Sequence, residues 1–133
     1  MTDELLADVV CLQLPQETRM SGIVRLAVSA VASKSGLNLD QSDDMQTALD
    51  ELFRLYLSEP NPEGTLCFRF QILSDRLEVV TQGISRDLFD NDSKLNRYSR
   101  FILEQVADRV EEIPSPQGGF EIILVKNVAQ KLS

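Results

Sequence analysis

The sequence predicts an α/β (α+β) two-layer sandwich, in which about three helices cover one face of a mostly antiparallel sheet. The first observation is that apolar and polar residues alternate in several short segments, a period of two that is typical of half-buried strands. The second is that three longer segments place apolar residues three and four positions apart, as amphipathic helices do. The order of these segments is strand, helix, helix, strand, strand, helix, strand, strand, and this order favours the layered fold.

The first two predicted elements are a strand and a helix. Alternation over residues 7–14 predicts the strand, and Pro15 ends it because proline cannot donate a hydrogen bond to a sheet. Residues 18–35 have helical spacing, and Gly36 follows as a natural C-cap, because glycine readily adopts the left-handed conformation that ends many helices. The apolar stripe of this helix consists of Met20, Ile23, Val24, Ala27, Val28 and Val31.

The second predicted helix begins at Asp40 or Ser42, since either residue can cap a helix N-terminus. The acidic residues that follow suit the positive end of the helix dipole. Pro60 lies beyond the end of this helix. Its apolar stripe consists of Met45, Leu49, Leu52, Phe53 and Tyr56.

The C-terminal half is predicted to contain two hairpins and a third helix. Residues 65–73 alternate strongly and form the first hairpin with residues 76–81. Residues 83–93 are polar and typical of a loop. Residues 95–110 return to helical spacing, and the second hairpin ends with a strand over residues 120–125.

Length and composition are those of one ordinary domain. We expect residues 1–133 to form a single domain with a loose C-terminal tail at 127–133. The net charge of −8 disfavours a nucleic-acid partner, because such a chain repels phosphates. No apolar run approaches the roughly 20 residues that span a bilayer. The acidic start of the chain lacks a signal-peptide pattern, so we expect a cytoplasmic protein with no membrane partner.

Cysteine and histidine content limits the available chemistry. Cys11 and Cys67 fall in strand-like segments and are expected to be buried in a reducing compartment, with a disulfide or redox pair as the alternative. The chain has no histidine, which excludes histidine acid–base catalysis and the usual zinc sites. Carboxylates are scattered rather than concentrated in one loop, so no metal site is predicted.

Opposite its apolar stripe, the first helix carries a face of small side chains around one arginine. Small residues allow another backbone to approach closely, and an isolated arginine can bind a carboxylate or phosphate through two hydrogen bonds. The residues alone leave two interpretations open, a solvated serine-rich surface or a docking surface. The face consists of Thr18, Ser21, Gly22, Arg25, Ser29 and Ser33.

One set of positions matches a known family without a gap: Pro15, Gly22, Ile23, Arg25, Leu26, residues 31–33, Gly36, Asp44, Ala48 and Glu51. In these positions the chain resembles the anti-sigma-factor serine kinases of the stress and sporulation type, a branch of the histidine-kinase-like ATPases. The resemblance implies that fold, a homodimer, and a protein partner such as a sigma factor or an anti-sigma antagonist. It also implies that Arg25 belongs to a protein interface, and together with its neighbours on the small-residue face the predicted partner-binding residues are Ser21, Gly22, Arg25 and Ser29.

The resemblance also locates an ATP site whose motifs are degenerate in this chain. In the family, a glutamate acts on the attacking hydroxyl and an asparagine four residues later holds magnesium. Here the glutamate is kept as Glu51, but Leu55 replaces the asparagine and has no oxygen for a cation. The family's Asp-x-Gly turn, which binds adenine, is reduced to Thr81 and Gly83. No cofactor is therefore expected.

The family's glycine-rich lid exposes backbone N–H groups to phosphate, and it corresponds here to residues 95–101, which contain no glycine. Arg97 and Arg100 add positive charge there, either to hold an anion or to pair with the acidic segment 87–92.

The sequence therefore favours a non-catalytic, anti-sigma-factor-like regulatory module that acts through protein–protein contacts in bacterial transcription or stress signalling. In that case the chain is a pseudokinase, and Glu51 is a vestige of a catalytic site. The alternative is a diverged anti-sigma serine/threonine kinase that still binds ATP, so enzymatic activity is left open.

Overall fold

A computed structural model describes residues 8–57, 64–84, 94–116 and 119–128. A single turn of 3-10 helix at Thr18–Met20 precedes the first α-helix. None of the helices in these ranges is long and apolar enough to cross a bilayer. The strands and helices are β1 (Asp8–Pro15), α1 (Ser21–Ser35), α2 (Leu39–Leu57), β2 (Thr65–Ile72), β3 (Arg76–Ile84), α3 (Lys94–Val106), β4 (Arg109–Pro114) and β5 (Phe120–Asn127).

The described strands form one antiparallel sheet in the order β1-β2-β3-β5-β4. Alternate residues of the central strands point to one face, where they form a single core with buried residues of the three helices. The predicted fold class and order of elements are confirmed. The strand residues of this core are Leu14, Leu66, Phe68, Phe70, Leu77, Val79, Ile122 and Leu124.

The turn between α1 and α2 depends on a glycine, as the sequence predicts. Gly36 has φ +84°, a left-handed conformation that other residues rarely adopt. Its N–H bonds to the carbonyls of Ala32 and Ser33, and the N–H of Leu37 also bonds to Ala32. These bonds close the C-terminus of α1 and turn the chain directly into α2.

The third helix is shorter than predicted. It ends at Val106, so the prediction of a helix through residue 110 is wrong at its C-terminal end. The N–H of Asp108 bonds to the carbonyl of Val125, which draws the chain into the sheet. At the same point, Lys126 Nζ donates a hydrogen bond of 2.8 Å to the carbonyl of Val106 and so satisfies the last turn of α3. The segment from Arg109 is therefore the strand β4.

Two strands extend beyond their predicted ends. The strand β3 continues to Ile84, and its register against β5 shifts between Thr81 and Ile84, which places Gly83 at an irregularity in a strand. The strand β5 continues to Asn127, and the N–H of Val128 bonds to the carbonyl of Asp75. The remainder of the predicted loop over 83–93, from residue 85, and the remainder of the predicted tail over 127–133, beyond residue 128, lie outside the described residues.

The expected burial of both cysteines is wrong for Cys11. Its strand, β1, lies at an edge of the sheet and pairs only with β2 among the described strands, so most of its side chains are exposed. Cys67 is half-buried, and its pKa is raised by burial and by the nearby Cys11 thiol, while Arg69 opposes the shift. Both thiols are free.

Candidate functional site

Arg25 lies on the exposed side of α1, but it has an ion-pair partner within the chain. Its Nε lies 3.2 Å from Oδ1 of Asp50, and its Nη2 lies 3.1 Å from Oδ2 of the same carboxylate. A second contact joins α2 to the backbone of the same residue, since Gln46 Nε2 donates a hydrogen bond of 2.8 Å to the carbonyl of Arg25. The guanidinium is therefore held against α2 in one orientation and remains accessible.

The other predicted partner-binding residues surround this ion pair. Gly22 and Ser29 are exposed and Ser21 is half-buried. A Cβ atom added at Gly22 would meet no atom within 4 Å, so packing within the described chain does not require glycine there. Since glycine lowers helix stability by about 1 kcal/mol relative to alanine, its presence is consistent with a close approach by another molecule.

Sequence reasoning missed the apolar part of this face. Ile23 was expected in the buried stripe but is exposed, and Leu26 is 74% exposed. The signal was present, because Leu26 lies outside the helical spacing of the stripe and directly after Arg25. Large exposed apolar side chains beside a charged group are characteristic of an interaction surface.

A shallow groove of about 290 Å³ continues this surface between the C-terminal half of α1 and the start of α2. Serines form one side of it, and the exposed Leu39 stands at the other. Small side chains on a helix leave room for another element to pack against it. The residues that line the groove are Ser29, Ser33, Leu37, Asn38, Leu39 and Ser42.

Glu51 is a residue of α2 whose side chain contacts α3, and only 2% of its surface is exposed. Ser99 Oγ donates a hydrogen bond of 2.6 Å to Glu51 Oε1, and Arg54 Nη2 lies 2.9 Å from Glu51 Oε2. Both carboxylate oxygens therefore have a partner from within the chain, which is the usual condition for burying a charged group.

Leu55 is 1% exposed and belongs to the hydrophobic core, so the side chain four residues after Glu51 contacts apolar groups. Its neighbour Tyr56 is also fully buried, as is Thr81 on β3. Burial raises the pKa of Tyr56 well above its ordinary value, and the nearby Thr81 hydroxyl opposes the shift. The two hydroxyls do not form a hydrogen bond of normal geometry with each other or with any other described residue.

The segment that corresponds to the family's lid, residues 95–101, forms the first part of α3. It begins at Lys94, so the stretch without glycine is helical rather than an open loop. Arg100 pairs with Glu104 one turn later at 2.8 Å, and the acidic segment 87–92 predicted as its partner lies outside the described residues. In the described ranges, no three cysteine or acidic side chains cluster in a way that could hold a metal ion.

The antiparallel sheet, the three helices and the buried glutamate on α2 define an α+β domain that is consistent with the histidine-kinase-like ATPase fold. No protein-family model matches the chain. Comparison with curated proteins, however, finds relatives along nearly its whole length. The serine-protein kinase RsbW of Bacillus licheniformis is 30% identical over 95% of this chain and 77% of its own length.

Two further relatives have the same name. The serine-protein kinase RsbW of Bacillus subtilis is 28% identical over 95% of this chain and 77% of its own length. That of Staphylococcus aureus is 22% identical over 95% of this chain and 78% of its own length. The chain belongs to the RsbW family of anti-sigma-factor serine kinases, which confirms the family predicted from residues 15–55.

Proposed function

We propose that this chain is a non-catalytic anti-sigma-factor-like module that regulates bacterial transcription or stress signalling by binding a protein partner. The partner binds α1 through Ser21, Gly22, Arg25 and Ser29. The observation that carries the proposal is the burial of Leu55, an apolar residue at the position where the family resemblance implies a magnesium ligand.

A hydrocarbon side chain cannot coordinate a hard cation, which takes oxygen ligands. Leu55 also belongs to the hydrophobic core, so it is buried among apolar side chains. Thr81, at the position implied for adenine recognition, is equally buried. Both positions would have to be uncovered before they could contact a nucleotide.

Glu51 supports the same proposal, because its two oxygens already contact Ser99 and Arg54. A carboxylate that accepts a proton from a substrate must be within hydrogen-bond reach of that substrate. In this chain, Ser99 occupies one such contact position, and α3 would have to move for another hydroxyl to replace it.

The α1 face has the features of a protein interface. Arg25 is exposed on α1 beside Asp50, and its guanidinium has further N–H groups that can bind a partner carboxylate. Leu26 and Ile23 add exposed apolar area beside the charge, and Gly22 allows close backbone approach. A sigma factor or an anti-sigma antagonist is the proposed partner, and a homodimer is the proposed oligomeric state.

A diverged serine kinase that still binds ATP is the second candidate. The names of the relatives favour it, since each is called a serine-protein kinase. The retained Glu51 and Gly83 also favour it, since both stand at positions that the family resemblance assigns to the ATP site.

Titration with a fluorescent ATP analogue in the presence of Mg²⁺ distinguishes the two candidates. We expect no saturable binding by this chain, whereas a relative named serine-protein kinase serves as the positive control. Micromolar binding by this chain would overturn the proposal. Leu55→Asn, which returns an oxygen to the position, shows whether that one residue is responsible if binding then appears.

The partner surface is tested by measuring the affinity of the chain for sigma factors and anti-sigma antagonists from its own organism. Arg25→Glu should weaken such a complex at least about tenfold, because it repels the partner carboxylate and Asp50. Arg109→Glu is the matched control, since Arg109 is 59% exposed against 63% for Arg25 and also pairs with an acidic residue, but lies on β4. An equal effect of both variants would contradict a specific role for Arg25.

A further inference from the structure

The outer face of α3 presents two aromatic and two basic side chains that no part of the function proposed above uses. Tyr98 is 57% exposed and Phe101 is 61% exposed, three residues apart on the same helix. Arg97 and Arg100 are exposed at the same spacing. We call these four residues the basic aromatic face.

The opposite side of α3 fixes the orientation of this face. Ser99 is buried and bonded to Glu51, and Leu103 is fully buried in the core. Ser99 and Leu103 are four residues apart and lie on one side of the helix, so the basic aromatic face lies on the opposite side, towards solvent.

The composition of the face is that of an interface rather than of ordinary surface. Tyrosine, phenylalanine and arginine are enriched at the centres of protein interfaces, and they supply many of the side chains that dominate binding energy. A neighbouring pair of exposed aromatic rings on a helix gives a partner a continuous apolar contact, and the arginines beside it can form bidentate bonds to carboxylates.

Charge determines the kind of partner. The protein has a net charge of −8, and α2 has five acidic residues against one basic residue. Among the described side chains of α3, Arg97 and Arg100 are exposed against one exposed acidic residue, Glu104, which pairs with Arg100, so this face carries a small excess of positive charge. Such a local positive area attracts a short acidic segment, whereas the overall negative charge repels extended polyanions such as nucleic acid or an anionic membrane.

We propose that the basic aromatic face binds an acidic protein segment in which an apolar side chain is flanked by carboxylates. The apolar side chain packs on Tyr98 and Phe101, and the carboxylates pair with Arg97 and Arg100. This surface lies on a different helix from the α1 face, so the proposal stands or falls independently of the partner bound at Arg25.

The test is an NMR titration of the isotope-labelled chain with the peptide acetyl-Glu-Glu-Leu-Phe-Glu-Glu-amide at millimolar concentration. Three comparison probes are the same peptide with lysines for glutamates, vesicles of phosphatidylglycerol and phosphatidylcholine, and a single-stranded oligonucleotide. We expect the acidic peptide alone to shift the backbone amide signals of residues 97–101. No shift with the acidic peptide, or equal shifts with the lysine peptide, the vesicles or the oligonucleotide, would overturn the proposal.

Two variants assign the contributions of charge and apolar contact. Phe101→Ser and Arg97→Glu should each weaken peptide binding roughly tenfold. Both positions are exposed, so the thermal unfolding midpoint of each variant should match that of the unmodified chain, which separates loss of binding from loss of folding. Arg25→Glu should leave peptide binding unchanged. If it abolishes binding instead, the peptide binds the α1 face and this proposal is wrong.

Discussion

Ser99 on α3 and Glu51 on α2 are joined by a hydrogen bond of 2.6 Å that is buried between the two helices. The residues are far apart in the sequence, and both are buried polar side chains. The bond therefore fixes where α3 sits along α2, because any other position would leave a buried carboxylate or hydroxyl without its partner.

Removal of this bond should destabilise the fold. We expect Ser99→Ala to lower the free energy of unfolding by about 1–3 kcal/mol, since Glu51 loses a buried donor and keeps only Arg54. Urea unfolding monitored by circular dichroism measures the loss. Ser29→Ala, at an exposed position on α1, is the matched control and should change stability by less than about 0.5 kcal/mol. Equal stabilities of the two variants would show that the Ser99 bond contributes nothing.

Lys126, on β5, should also stabilise the packing of the helices on the sheet. Its Nζ bonds to Asp44 on α2 at 2.9 Å and to the carbonyl of Val106 at the end of α3. Lys126→Met keeps the aliphatic length but removes both bonds, so we expect a loss of about 1–3 kcal/mol in urea unfolding. The exposed Lys34→Met is the control, and a loss of the same size there would remove the special role of Lys126.

Gly22 and Gly36 should respond in opposite ways to replacement by alanine. At Gly22 there is open space for a Cβ atom, so Gly22→Ala should stabilise the chain by about 0.4–1 kcal/mol and weaken partner binding at α1. At Gly36 the left-handed backbone strains any side chain, so Gly36→Ala should destabilise it by about 1–2 kcal/mol. Thermal unfolding measures both changes. If Gly22→Ala binds the partner normally, close approach at Gly22 is not part of the interface.

Tyr56 should make stability depend on pH in alkaline solution. Burial raises the pKa of Tyr56 in the folded state above the ordinary value of 10.0, so the unfolded chain releases this proton first. The contribution of neutral Tyr56 is fully present below pH 10 and falls as the pH rises further. Urea unfolding at pH 8 and near pH 11 measures this fall.

Tyr56→Phe should remove the part of that fall that belongs to Tyr56. It should also cost little stability at neutral pH, because the hydroxyl has no hydrogen bond of normal geometry among the described residues. Tyr98→Phe is the control, since Tyr98 is exposed and is the other tyrosine of the chain. If Tyr56→Phe loses as much stability at high pH as the unmodified chain, the titrating group lies elsewhere.

Local patterns predicted the elements of this fold, because alternation and helical spacing are determined within short segments. The order of elements, the C-cap at Gly36 and the family were all confirmed. The end of α3 was not predictable in this way, since it depends on bonds from Val125 and Lys126, which lie on a later strand.

The sequence predicted which residues belong to the candidate site but not which residues they contact. The sequence identified Glu51 and Leu55 as the residues to examine, but it gave no sign that Ser99 would contact Glu51 or that Asp50 would hold Arg25. Such pairs depend on how two helices pack, and the spacing of residues within one helix does not indicate which residues of the other helix it contacts. The exposure of Cys11 was missed for a similar reason, because a strand's position at a sheet edge is a property of the whole sheet.

The pairing of β1 with β2 has a consequence for how the chain is made. Pro15 lies opposite Thr65, so both helices α1 and α2 must be synthesised before the first strand has a partner. At about 5–20 residues per second, that interval lasts several seconds on the ribosome. The neighbouring strands β2 and β3 are joined by a short turn and can pair as soon as they emerge. During biosynthesis, β1 therefore spends this interval without the strand that pairs with it in the folded chain.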